Sequence, residues 1–106
     1  MSEHHVQRIH PEHIVLDIGQ DIGALIIYTR AELRGREIEV SLTGNETKKT
    51  HTEVLERRIA RQPVFAAVFP GLAAGDYIIW GDAAKPIDST TISGGKITEV
   101  DWRRSA

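Results

Sequence analysis

Cysteine is missing from this chain altogether. Disulfides, thiolate metal sites and cysteine nucleophiles are thereby excluded. Aromatic residues are scarce, at 6%, too few for a surface that stacks single-stranded nucleic acid. There is no excess of one charge sign. The formal net charge is −2, so no broad basic field points to nucleic acid as a partner. Long apolar runs are lacking as well. The longest, Val64 to Phe69, falls far short of a bilayer span. The opening Met1-Ser2-Glu3-His4-His5 is polar and has no apolar h-region, so no signal peptide is expected. These absences lead us to expect a cytoplasmic protein with neither nucleic acid nor membrane as partner.

What is present suits one small globular domain. The chain has 106 residues, 41% hydrophobic and 26% charged, which leaves no room for two domains but enough for a single core. Residues 1–12 are polar and interrupted by Pro11, and read as an arm. Residues 13–106 read as the folded domain.

Within it the apolar period is two rather than 3.6. Ile14, Leu16 and Ile18 alternate with Val15 and Asp17, predicting a first strand before the turn chemistry of Gly19 to Gly23. Ala24 to Thr29 is apolar on both faces, as a central strand requires. Arg30 to Gly35 predicts a turn of helix stopped by the glycine. Ile38, Val40 and Leu42 alternate with polar neighbours, and Thr43-Gly44-Asn45-Glu46 is a turn. Thr50 to Arg61 is ambiguous. Leu55 and Ile59, four apart among good helix formers, suit a helix. Its charges equally suit the solvent side of an edge strand, the reading preferred here because strands flank it. Val64 to Phe69 and Asp76 to Trp80 are further strands around a tight corner at Pro70 to Gly75. Thr90-Thr91-Ile92 and Lys96 to Trp102 flank Ser93-Gly94-Gly95, which predicts a hairpin. The expected fold is all-β: a single antiparallel β-sandwich of about seven strands.

Phe69-Pro70-Gly71-Leu72-Ala73-Ala74-Gly75-Asp76-Tyr77 and Ser93-Gly94-Gly95-Lys96-Ile97-Thr98-Glu99-Val100-Asp101 resemble the corner and closing hairpin of transthyretin-like (prealbumin-like) modules. These include adhesin B-type repeats and carboxypeptidase regulatory domains. The resemblance implies a prealbumin-like sandwich in an accessory, non-catalytic role. It does not extend to the isopeptide crosslink of the adhesin repeats, because no lysine precedes Lys48. The whole chain is also similar to a group of short actinobacterial proteins, from which no function is carried over. His13-Ile14-Val15-Leu16-Asp17 and Trp102-Arg103-Arg104-Ser105 resemble the opening and closing signatures of the hydroxyisourate hydrolases of the same architecture. Arg104 replaces the closing glycine, and the late histidine of that family has no counterpart.

Candidate chemistry is sparse. His4, His5 and His10 crowd the start of the chain, and imidazoles bind zinc, copper and nickel. With Met1 removed, His4 would be the third residue, an arrangement that wraps copper(II) or nickel(II) in a square of nitrogens. A solvated polar arm is the plainer reading. Arg57 and Arg58 belong to several local arginine clusters able to fork a carboxylate or phosphate, set against ordinary surface charge balanced by glutamate. Trp80 and Trp102 would make a sugar platform if exposed on one face, and packing residues otherwise. No nucleophile elbow occurs, and Gly71-Leu72-Ala73-Ala74-Gly75 lacks the lysine of a phosphate loop. No cofactor is expected. The leading expectation is a non-catalytic module that binds another protein or assembles with itself. The alternatives are a small hydrolase using His13, an arginine and Ser105, and a carbohydrate-binding module.

Overall fold

The computed structural model describes residues 16–59, 61–81 and 85–103. Eight strands form two four-stranded sheets: β1 (Ile22–Thr29), β2 (Glu37–Leu42), β3 (Thr50–Glu53), β4 (Leu55–Ile59), β5 (Gln62–Ala73), β6 (Gly75–Trp80), β7 (Pro86–Ile92) and β8 (Ile97–Asp101). One sheet runs β4-β5-β1-β8, the other β3-β2-β6-β7. The fold is an all-β sandwich, with a single turn of 3-10 helix at Ala31–Leu33. The first expected strand is not formed over Leu16 to Ile18. This stretch instead runs beside β5, where the Asp17 amide donates to the Pro70 carbonyl at 2.9 Å.

β1 is the spine. Its neighbours are β5, antiparallel, and β8, parallel, so both of its edges are paired, and its residues are buried from Gly23 onward. Leu25 and Ile27 point between the sheets, where they join Val40, Phe69 and Ile79. Each such fully buried side chain contributes about 1.5–3 kcal/mol. Ile26 and Tyr28 point the other way and build a second cluster with Val64, Ala66 and Val68 on the outer face of their sheet.

Three further details differ from the sequence reading. Ser93-Gly94-Gly95 does not close a hairpin. β7 lies in one sheet and β8 in the other, and the turn carries the chain between them. Gly94 packs so closely on Gln20 that a Cβ there would overlap the Gln20 carbonyl, and the Gly95 amide donates to the Ile22 carbonyl at 2.9 Å. The loop is thus pinned to the start of β1, which draws β8 to that side as a parallel neighbour. A purely antiparallel sandwich is therefore corrected to a mixed one.

The corner is also shorter than Pro70 to Gly75. β5 continues to Ala73 through a bulge: Gly23 pairs with Leu72 and Leu25 with Phe69, which leaves Pro70 and Gly71 opposite Ala24 alone. A bulge tolerates a residue without an N–H. The sheet change occurs at Ala74, next to Gly75 at φ +150°, where a Cβ would press on Leu42. Tyr77 ties this corner down, its hydroxyl donating to the Ala73 carbonyl at 2.7 Å.

The ambiguous stretch is strand, as preferred, but it is two strands. β3 and β4 belong to different sheets and are joined by the single residue Val54, which is fully buried.

Candidate functional site

Val54 fixes one lateral side of the sandwich. Its amide donates to the Arg36 carbonyl at 2.9 Å and its carbonyl accepts from the Gly35 amide at 2.8 Å. Beyond it, among the described residues, β4 pairs only with β5, in the register Leu55 to Ala66, Arg57 to Val64 and Arg58 to Pro63. Hydrogen-bonded and non-hydrogen-bonded pairs alternate along an antiparallel ladder. Pro63 has no N–H, so its pair with Arg58 belongs to the second kind. A second observation gives the same parity. The Tyr28 carbonyl accepts from the Trp102 amide at 2.8 Å and so faces away from β5. Its partner Ala66 therefore turns its backbone groups to Leu55. The backbone groups of Glu56 and Arg58 then point outward, off the sheet, and no described residue bonds them.

A groove of about 640 Å³ runs along this edge, lined by Arg34, Gly35, Glu53, Leu55, Glu56 and Arg58. Glu56 is its electrostatic centre. One carboxylate oxygen lies 3.4 Å from Arg34 Nη1, the other 4.0 Å from Arg58 Nη1. With both arginine side chains 66% exposed, these contacts orient the groups more than they stabilise the fold. Leu55, 44% exposed, is the apolar element. The groove thus offers backbone donors and acceptors, both charge signs and one apolar anchor.

The opposite side is less open. β7 begins at Pro86 and carries a bulge opposite the Ile79–Trp80 step. The Ser89 amide donates to Asp88 Oδ1 at 2.8 Å, and the Thr91 carbonyl accepts from Thr98 Oγ1 at 3.3 Å. These are devices that blunt an edge. β8 carries Glu99, which accepts from the Tyr28 hydroxyl at 2.6 Å, and Asp101, which holds Arg103 at 2.8 Å. The Arg103 guanidinium in turn lies 4.6 Å from the centre of the Tyr28 ring.

The two arginines singled out from sequence lie on opposite faces of β4. Arg58 lines the groove. Arg57, opposite Val64, faces outward beside the second apolar cluster, and its Nε is buried without a hydrogen-bond partner. Trp80 is only 8% exposed and donates from Nε1 to Ser41 Oγ at 2.9 Å, with Lys49 Nζ 4.4 Å from the ring centre. Trp102 is half-buried and donates from Nε1 to Asp88 Oδ2 at 3.0 Å. There it lines a cleft of about 160 Å³ with Leu33, Ile38 and Ile87. Trp80 packs outside one sheet and Trp102 against the inter-sheet core, so the rings share no face.

His4, His5, His10, His13 and Ser105 lie outside the described residues. His51 is exposed, 3.9 Å from Glu37 Oε2. Among the described residues no group of three or more His, Asp or Glu side chains is placed to hold a metal ion, and no helix is long and apolar enough to cross a membrane. The Tyr77 phenol is held above the usual tyrosine range by burial. That displacement belongs to the corner and not to the groove. Arg34 belongs to one of the local arginine clusters read from sequence, but the groove residues Leu55 and Glu56 were not singled out; the signal available was the charged, helix-or-strand ambiguity of Thr50 to Arg61.

Comparison of the chain with protein-family models, with curated proteins and with solved structures finds no match in any of the three.

Proposed function

We propose that this protein is a non-catalytic β-sandwich module that takes an extended segment of another protein chain onto the free edge of β4. The reading is carried by one observation: Glu56 and Arg58 turn their backbone groups outward into a groove that already holds Leu55 and paired charges. An added strand satisfies those backbone groups, while its alternate side chains meet Leu55 or the charges. The tyrosine-pinned corner and the two-layer arrangement support grouping the chain with transthyretin-like accessory modules. The lack of cysteine fits a reducing compartment, and we place the protein in the cytoplasm.

The test separates backbone from side chain. Arg58→Pro deletes an outward N–H that β5 does not use, whereas Arg58→Ala deletes only the charge. Both variants, tagged at the C-terminus, are used to capture partners from the host lysate, with crosslinking and mass spectrometry. The reading expects one reproducible partner that Arg58→Ala retains, weakened, and Arg58→Pro loses, with unchanged melting. Equal capture by Arg58→Pro and the parent chain overturns it.

A further inference from the structure

The edge of β4 is complementary to itself. We propose that its partner is a second copy of this chain, paired antiparallel through β4 about a two-fold axis at Arg57. The proposal rests on the reading of β4 as a docking edge and names the occupant.

Backbone parity restricts the register. Among the described residues of β4, Glu56 and Arg58 turn their backbone groups outward, so a hydrogen-bonded pairing between described residues sets these two against one another. Two-fold registers centred between residues pair an outward residue with an inward one and lose the bonds. Three registers centred on a residue keep the parity. Centring on Glu56 sets Glu56 against itself and needs room at Val54, whose backbone groups already bond Gly35 and Arg36. Centring on Arg58 sets Arg58 against itself. Centring on Arg57 sets Glu56 against Arg58 of the second copy, and this occurs twice by symmetry. Opposite charges directly across a ladder attract and like charges repel, so parity and charge select the same register.

In that register Leu55, exposed in the single chain, falls opposite position 59, and each four-stranded sheet joins the other as one continuous sheet. The unfavourable contact is Arg57 against itself on the axis, on the outer face. A short strand pair with like charge at its centre buries much less than a standard interface, so the association is weak and reversible, in the micromolar-to-millimolar range.

The experiment is sedimentation equilibrium of the full chain up to about 1 mM, for the parent, Glu56→Arg, Arg58→Glu and the double exchange. The parent is expected to dimerise. Each single reversal, which places two like-charge pairs across the axis, weakens the dimer about tenfold, and the double exchange restores it. Arg57→Gln, which removes the repulsion on the axis, tightens it. A parent chain that stays monomeric, or a double exchange that restores nothing, overturns the proposal. The edge reading is tested separately by the Arg58→Pro capture: a monomer whose capture is lost in Arg58→Pro has a foreign partner on β4, and a monomer whose capture is unchanged has neither.

Discussion

Pro63 sits directly across from Arg58 on the paired strands β5 and β4, and this one juxtaposition decides which backbone groups of the edge face the sheet. The Arg57 amide belongs to the ladder with Val64; those of Glu56 and Arg58 do not. In amide hydrogen exchange at low concentration, Glu56 and Arg58 should exchange at rates close to those of an open chain, while Arg57 is protected. Equal protection of all three would show that the parity is wrong.

Trp80 and Ser41 form a buried polar pair, with Ser41 1% exposed. Ser41→Ala leaves the indole N–H without its acceptor and should cost about 1–3 kcal/mol. In a Trp80→Phe background, where no donor remains, the same change should cost much less. Urea denaturation of the four proteins gives both numbers.

Tyr77→Phe keeps the ring in the core and removes the hydrogen bond to Ala73, at a cost of about 1 kcal/mol. Because the folded phenol is held above its unfolded pKa of about 10, the parent's stability from this group is complete below that value. It declines as pH rises through the raised folded pKa, since the unfolded chain then binds fewer protons. Melting curves between neutral and strongly alkaline pH should fall more steeply for the parent than for Tyr77→Phe.

Gly94→Ala should destabilise by about 3 kcal/mol, because the obstacle is the Gln20 backbone and not a side chain that can swing away. Gly19→Ala, with open space around its Cα, is the matched control. A thermal melt that ranks the two alike would contradict the docking of the Ser93–Gly95 turn onto the start of β1.

Much of the architecture was legible because its strands announce themselves locally. Ala24 to Thr29 carries an apolar residue at nearly every position, and only a strand covered on both faces needs that. What escaped was long-range. Ser93-Gly94-Gly95 has the chemistry of a hairpin turn, and only the approach of Gln20, far away in sequence, turns it into a sheet-to-sheet crossing. Pro70-Gly71 has the chemistry of a corner, yet a bulge absorbs it. Thr50 to Arg61 hid a change of sheet at Val54, because one buried valine between two charged segments leaves no periodic trace. The groove escaped for the same reason. Arg34 and Glu56 lie 22 positions apart in sequence, and the outward turn of the Glu56 backbone depends on pairing that no local pattern encodes.

The parallel contact between β1 and β8 has a mechanical consequence. The chain enters β1 at one end and leaves β8 at the other, and the two strands are in register from Ala24 with Ile97 to Tyr28 with Asp101. Tension applied between the two ends of the domain pulls these strands lengthwise past each other. The bonds joining them are loaded all at once, in shear, and none can be peeled open ahead of the rest. Once the Asp17 contact with Pro70 ahead of β1 gives way, the next event under load is the concerted slip of a whole ladder, which makes the domain stiff along that axis and brittle at its limit. Load applied through the free edge of β4 meets no such clamp, and there the ladder opens one pair at a time.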